Sequence, residues 1–171
     1  MKYARVGLSA MNDYATIKQL VESLFGYAQI QATASEELLL PRLRQTHNLY
    51  LGSHPDSWNH FMIIAGIGTA LVLMKELPTG EKAVFDQLLE AKMNAYHAYG
   101  WKAVSDFISL AHQLSSQGYS KELAIGLWVL WNIEEKKPCK DKLPEAEAVG
   151  RALHIAFAGW EEILKSSKLN P

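Results

Sequence analysis

Between Pro41 and His60 the chain reads "PRLRQTHNLYLGSHPDSWNH", with Arg42, Arg44, His47, His54, Asp56 and His60 close together. Histidine and aspartate bind metals and move protons near neutral pH, and arginine holds phosphate. Spacing decides which of these chemistries is open. Helical ligand pairs lie three or four positions apart, because only those positions stand one above the other. His47, His54 and His60 do not fit that rule, and a Gly-Ser-His-Pro turn interrupts them. A carboxylate-bridged bundle site needs Glu-x-x-His pairs, and none occurs. Glu90 with His97 and His154 with Glu161 are each seven apart, two helical turns or about 10 Å. The sequence therefore predicts no metal site and no cofactor.

Nucleophilic chemistry is as thinly supported. There is no G-x-S-x-G elbow. Cys139, the one cysteine, lies among Lys136, Lys137, Lys140 and Lys142. Neighbouring ammonium groups favour a thiolate, but no nearby histidine offers itself as base, so an exposed loop thiol is the expectation. The glycines of "AGIGTA" (65–70) match neither a dinucleotide fingerprint nor a P-loop, and an apolar helix surrounds them. They read as packing glycines.

The elements that must position these residues are helices throughout. Apolar residues recur with a period near 3.6, and no stretch alternates convincingly with a period of two. A first helix is expected from Asn12 or Asp13 as cap, with Ile17, Leu20, Val21, Leu24, Phe25 and Ala28 on its buried stripe. "TASE" (33–36) has the form of a capping box ahead of a second helix over 37–51, with Pro41 kinking it or starting a new one. The segment 57–77 is apolar on nearly all sides and is expected at the centre, with Ile64, Ile67, Leu71 and Met74 buried. Ser53 and Asp56 are its candidate caps. Helices follow near 81–99 and 101–117, the latter ended by Gly118, and then one capped by Ser120. The polar loop "KKPCKDKLP" leads to a last helix opened by Pro144, with Val149, Leu153, Ala156, Trp160 and Leu164 on one seam. The prediction is all-α: a single domain over 1–171, a compact bundle of six to seven helices around a central apolar helix near 57–77.

Two resemblances bear on function. "RLRQTH" (42–47) has the order arginine, hydrophobe, three residues, histidine, and so resembles the short motif of HEPN-type ribonucleases, which are also small helical domains. That resemblance implies metal-independent RNA cleavage, with His47 as acid or base and Arg42 neutralising charge on the phosphorus, the motif usually meeting its copy across a dimer. A longer likeness runs from "IIAGIGTALVLMKE" (63–76) to the closing helix "AEAVGRALHIAFAGWEEIL" (146–164). It resembles the small α-helical subunit of multi-subunit CRISPR effector complexes, with Gly66, Gly68, Ala70, Leu71 and Trp160 at corresponding places. Such a likeness implies a non-catalytic subunit whose partners are other protein subunits and the backbone of a guide RNA or target strand. Under it, Arg42, Arg44, Lys136, Lys137, Lys140 and Lys142 are the candidate phosphate contacts. A regulatory or ligand-binding bundle is the third reading, and the plain alternative for each of these cations is a solvated helix face.

Composition sets outer limits. Of 171 residues, 49% are apolar and 20% charged, as in a globular domain, and 17 basic against 18 acidic residues give a net charge of −1. No global field draws the chain to polyanions, so nucleic-acid contact requires a local patch. A single cysteine and an N-terminus without an apolar run predict a cytoplasmic protein. The longest hydrophobic run, Phe61 to Met74, is too short to span a bilayer, so no membrane partner is expected. The segment "GLWVLW" (126–131) predicts aromatic surface beyond what the bundle hides, and hence a protein partner.

Overall fold

The computed structural model describes residues 3–47, 49, 56–74, 79–138 and 140–167, of which 3–15, 47, 79 and 161–167 by backbone alone. Seven α-helices make up this part: α1 (Tyr3–Leu38), α2 (Leu40–His47), α3 (Ser57–Leu73), α4 (Thr79–Tyr96), α5 (Gly100–Ser116), α6 (Lys121–Glu134) and α7 (Leu143–Ser167), with a short 3₁₀ turn at Lys140–Lys142. No strand occurs among the described residues. The all-α bundle expected from periodicity is the fold.

α3 is the hub. Nine consecutive positions, Met62 to Ala70, are all buried, so this stretch of the helix is covered on every side. It packs against α1, α5, α6 and α7. Gly66 and Gly68 are indeed packing residues, though they receive rings and not another backbone. The Phe157 ring sits over Gly66 and the Phe107 ring over Gly68, where a methyl group would collide with them. Ile64 and Ile67 are fully buried as expected, whereas Leu71 and Met74 are only partly covered. The helix ends at Leu73, where Met74 turns extended, and its last turn emerges from the core.

The first expected boundary fails for a physical reason. α1 does not begin at Asn12 or Asp13 but runs through both, since either residue inside a helix costs only about 0.7 kcal/mol relative to alanine. Nor does "TASE" start a helix. The Thr33 hydroxyl donates to the Gln29 carbonyl at 3.1 Å and the Ser35 hydroxyl to the Ala32 carbonyl at 2.7 Å. Hydroxyls bonded back into their own helix leave no cap, and α1 continues to Leu38. The same residues then hold α3. Trp58 Nε1–H donates to Ser35 Oγ at 2.9 Å, and the Asn59 side-chain amide donates to the Glu36 carboxylate. Pro41 starts α2 as one of the two readings had it.

At the other end of the chain α6 and α7 form an antiparallel pair whose backbones nearly touch. A β-carbon on Gly126 would fall inside the Ala146 carbonyl, and one on Gly150 inside the Glu122 carbonyl. The two approaches are reciprocal across the pair, so only glycine permits this spacing at both levels. Ser120 caps α6 as predicted, its Oγ accepting the Leu123 N–H at 3.1 Å, and Gly118 ends the preceding helix with φ of 89°. Trp58, Trp128 and Trp160 lie in the core, Trp101 is partly covered, and Trp131 is exposed. "GLWVLW" thus leaves less aromatic surface outside than expected: Trp131 is its exposed aromatic residue.

Candidate functional site

Helix direction gathers the candidate residues. Ser35 and Glu36 on α1 meet Trp58 and Asn59 on α3, so the end of α1 and the start of α3 share one end of the bundle. His60 on α3 meets Tyr96 and His97, which places the end of α4 there too. α7 runs antiparallel to α1: Ala152 shares a groove with Leu38, whereas Trp160 stacks on Tyr27. Its N-terminus, and with it the α6–α7 loop, therefore lies at the same end. α2 departs from that end as well.

Of the six predicted phosphate contacts, Arg42, Arg44, Lys136, Lys137 and Lys140 are exposed, and all belong to this end. Arg42 and Arg44 flank Leu43, whose burial fixes α2 against the bundle. Asp56, Glu135 and Asp141 are exposed at this end too, so the field is mixed and any anion contact is local.

Lys142 behaves differently. Its ammonium lies 3.4 Å from the Glu134 carboxylate and 4.0 Å from that of Glu145, with its side chain 16% exposed. Both carboxylates are buried, so Lys142 is the internal counter-charge that joins the end of α6 to the start of α7. It is a structural lysine, unlike the other three of the loop.

Arg42 and His47 are brought onto one helix but not onto one face. Five positions turn an α-helix by about 500°, leaving the two positions about 140° apart. The side chain of His47, together with His54 and Cys139, lies outside the described residues. Among the described residues no group of three His, Cys, Asp or Glu side chains has metal-binding geometry. His154 instead lies against Glu122, with Nδ1 to Oε1 at 2.5 Å across the α6–α7 pair. The Glu122 carboxyl is held below its ordinary pKa, first by a hydrogen bond to its own backbone amide at the helix start and then by His154.

What sequence spacing did not reveal is an open cleft of about 760 Å³ between the start of α3 and the end of α4. His60 lies in its wall with Nδ1 3.2 Å from the Tyr96 hydroxyl, and the two rings stack at 5.6 Å. The His97 ring is 4.8 Å from that of His60, and Phe61 meets His60 edge-on. Tyr99 completes the aromatic lining and is 70% exposed. Burial pushes the His60 imidazole below its ordinary pKa, and repulsion from a charged His97 adds to this. Burial likewise raises the Tyr96 phenol. Both groups are therefore kept in their neutral forms near pH 7. Asp56, Ser57 and Asn59 form the polar side of the cleft at the first turn of α3. Asp56 occupies the cap position but its side chain makes no cap bond, so the expectation that it would cap by side chain fails. Ser53, the other candidate cap, lies outside the described residues.

His60 was legible in the sequence only as a neighbour of His47 and His54. Its actual partner is His97, which the alternating direction of successive helices could have supplied: the start of one helix and the end of the next lie together when the connection is short. No family model, curated protein or solved structure matches the chain. No described helix is long and apolar enough to cross a membrane.

Proposed function

We propose that the chain is a non-catalytic helical subunit of a larger assembly, most specifically a small subunit of a CRISPR effector complex, and that it faces nucleic acid with the end of the bundle just described. The observation that carries this reading is the placement of Arg42, Arg44, Lys136, Lys137 and Lys140, which sequence scatters over nearly a hundred residues and the fold returns to one end. All five are exposed, and point charges of this kind grip a phosphate backbone without reading bases. The net charge of −1 makes the free subunit a poor binder, so it acts when neighbouring subunits hold it in place.

A protein-docking surface accompanies this end. Leu38 and Ile155 are each 71% exposed, and Leu38 lines a narrow apolar groove with Ala34, Ala152 and Ala156 between α1 and α7. An apolar groove beside exposed cations suits a subunit that packs on another protein while touching a polyanion. The test is affinity purification of the tagged chain, with mass spectrometry of proteins and sequencing of any bound RNA. Other effector subunits with a guide RNA are the expected result. A chain recovered alone as a stable monomer contradicts the reading.

Metal-independent RNA cleavage by Arg42 and His47 is the rival from another class. It predicts that the isolated protein degrades single-stranded RNA in chelator and that His47→Ala removes this activity by about 10²–10⁴-fold.

A further inference from the structure

We infer that the cleft between α3 and α4 receives one unstacked nucleobase, bound on the exposed faces of Tyr99 and His97. The inference takes from the proposed function only the source of that base, a single-stranded polymer gripped at the same end of the bundle.

The chemistry of the walls selects the ligand class. Three aromatic residues and two imidazoles line a space of about 760 Å³, within the roughly 300–1,000 Å³ usual for small-molecule sites. Every base has a π-face, and stacking on aromatic side chains is sequence-tolerant. Polar groups of the lining supply hydrogen bonds beside the aromatic faces. The Tyr99 backbone N–H donates to His97 Nδ1 at 3.3 Å, so a neutral His97 carries its proton on Nε2 and presents a donor. Asp56 contributes an acceptor to the lining. A base edge carries both donors and acceptors, so either group can bond to it.

The lining also excludes the competing class. No lysine or arginine belongs to it, and Asp56 is its one carboxylate among the described residues. A phosphate or a carboxylate therefore meets no ammonium or guanidinium in the lining and faces the Asp56 carboxylate. The exposed cations lie outside the cleft, on α2 and the α6–α7 loop, where a backbone would run while one base turned inward. The neutral His60–Tyr96 pair forms a wall that an uncharged ring can meet without displacing a proton.

The test uses the full chain with two probes, a short single-stranded oligoribonucleotide carrying a central 2-aminopurine and the free 2-aminopurine riboside. Fluorescence and the NMR signals of the His60 and His97 imidazoles are followed together, at concentrations that detect weak binding. The expected result is quenched 2-aminopurine emission on oligonucleotide binding, with both imidazole signals shifted. Tyr99→Ala combined with His97→Ala should abolish the quenching and weaken binding about 5- to 100-fold. Both side chains are exposed, so the double variant keeps its fold. Arg42→Glu with Arg44→Glu should weaken binding yet leave the quenching at saturation unchanged.

Each other outcome has one meaning. An oligonucleotide that binds in a salt-dependent way, with 2-aminopurine emission and imidazole signals unmoved, overturns the cleft and leaves the proposed function standing. Riboside that shifts the imidazoles, with no added affinity for the oligonucleotide, supports a nucleobase site whose ligand is a free nucleoside and contradicts the nucleic-acid reading. No response to either probe overturns the inference.

Discussion

The α6–α7 pair and the α3–α4 cleft are built on opposite terms. In the first, Gly126 and Gly150 let two backbones approach until no room remains for a methyl group, and Lys142 sets its ammonium beside two buried carboxylates. In the second, Tyr99 and His97 stand largely in solvent around an open space, and His60 is kept neutral by partial burial. One region commits its residues to close packing; the other leaves side chains uncommitted. Positions that the fold does not need are those free to meet a ligand, so mutation should separate the two regions by the size of its effect on stability.

The largest effect is expected where backbone meets backbone. Gly150→Ala or Gly126→Ala must push α6 and α7 apart, which should cost about 3 kcal/mol or more, the upper end for an overpacked core. Urea denaturation measures it, and a loss under about 1 kcal/mol would show that the pair is not so tight. The central helix comes next. Ile67→Ala should cost about 2–5 kcal/mol through lost transfer energy and a residual cavity, and Leu71→Ala, at the partly covered last turn, clearly less. Equal costs would mean that α3 is buried along its whole length.

Lysines of one loop provide a finer division. Lys142→Ala removes the ammonium beside the buried Glu134 and Glu145 carboxylates and should destabilise by about 1–3 kcal/mol. Lys136→Ala and Lys137→Ala should stay within about 0.5 kcal/mol, as exposed surface changes do. Thermal melts of the three variants decide whether the loop has one structural lysine or several.

The smallest effect is a slope in pH. The His60 imidazole titrates lower in the folded chain than in the unfolded one, so the unfolded chain binds more protons as pH falls. The stability that depends on neutral His60 is complete above about pH 6.5 and is lost as pH drops from there through the folded value. One such group gives at most about 1.4 kcal/mol per pH unit. His60→Gln should flatten the curve between pH 5 and 6.5, compared at matched salt, and an unaltered slope would place the proton elsewhere.

Much of this architecture could be read from apolar spacing, because burial of a helical stripe leaves a periodic trace. The caps were less legible. Ser120 does cap α6, but in the "TASE" box the Thr33 hydroxyl turns back into α1, while Ser35 accepts the Trp58 indole N–H and Glu36 the Asn59 amide. Local sequence cannot distinguish a cap from a tertiary latch, since the deciding partner lies 23 positions away. Lys142 and Lys140 look alike in the loop for the same reason; only the buried carboxylates on two helices tell them apart. The cleft was hidden because His60 and His97 lie on different helices, and a one-dimensional search for ligand spacing pairs His60 with its sequence neighbours. Arg42 and Arg44 were visible as residue types, but their common end with Lys136, Lys137 and Lys140 appears only once the helix directions are known.

The claim that this end of the bundle faces a nucleic-acid backbone has one direct measurement. Affinity of the co-purified assembly for its nucleic acid is taken across a range of salt, with wild type set against Arg42→Glu combined with Arg44→Glu. Removing one cation from the phosphate backbone lowers the salt slope by about 0.7–0.9, so the double variant should bind more weakly with a slope smaller by about 1.5, alike for all sequences. Helical signal and melting temperature should match wild type, because both side chains are exposed. An unchanged salt slope would mean that the two arginines only solvate α2, and would contradict the proposed role of this end of the molecule.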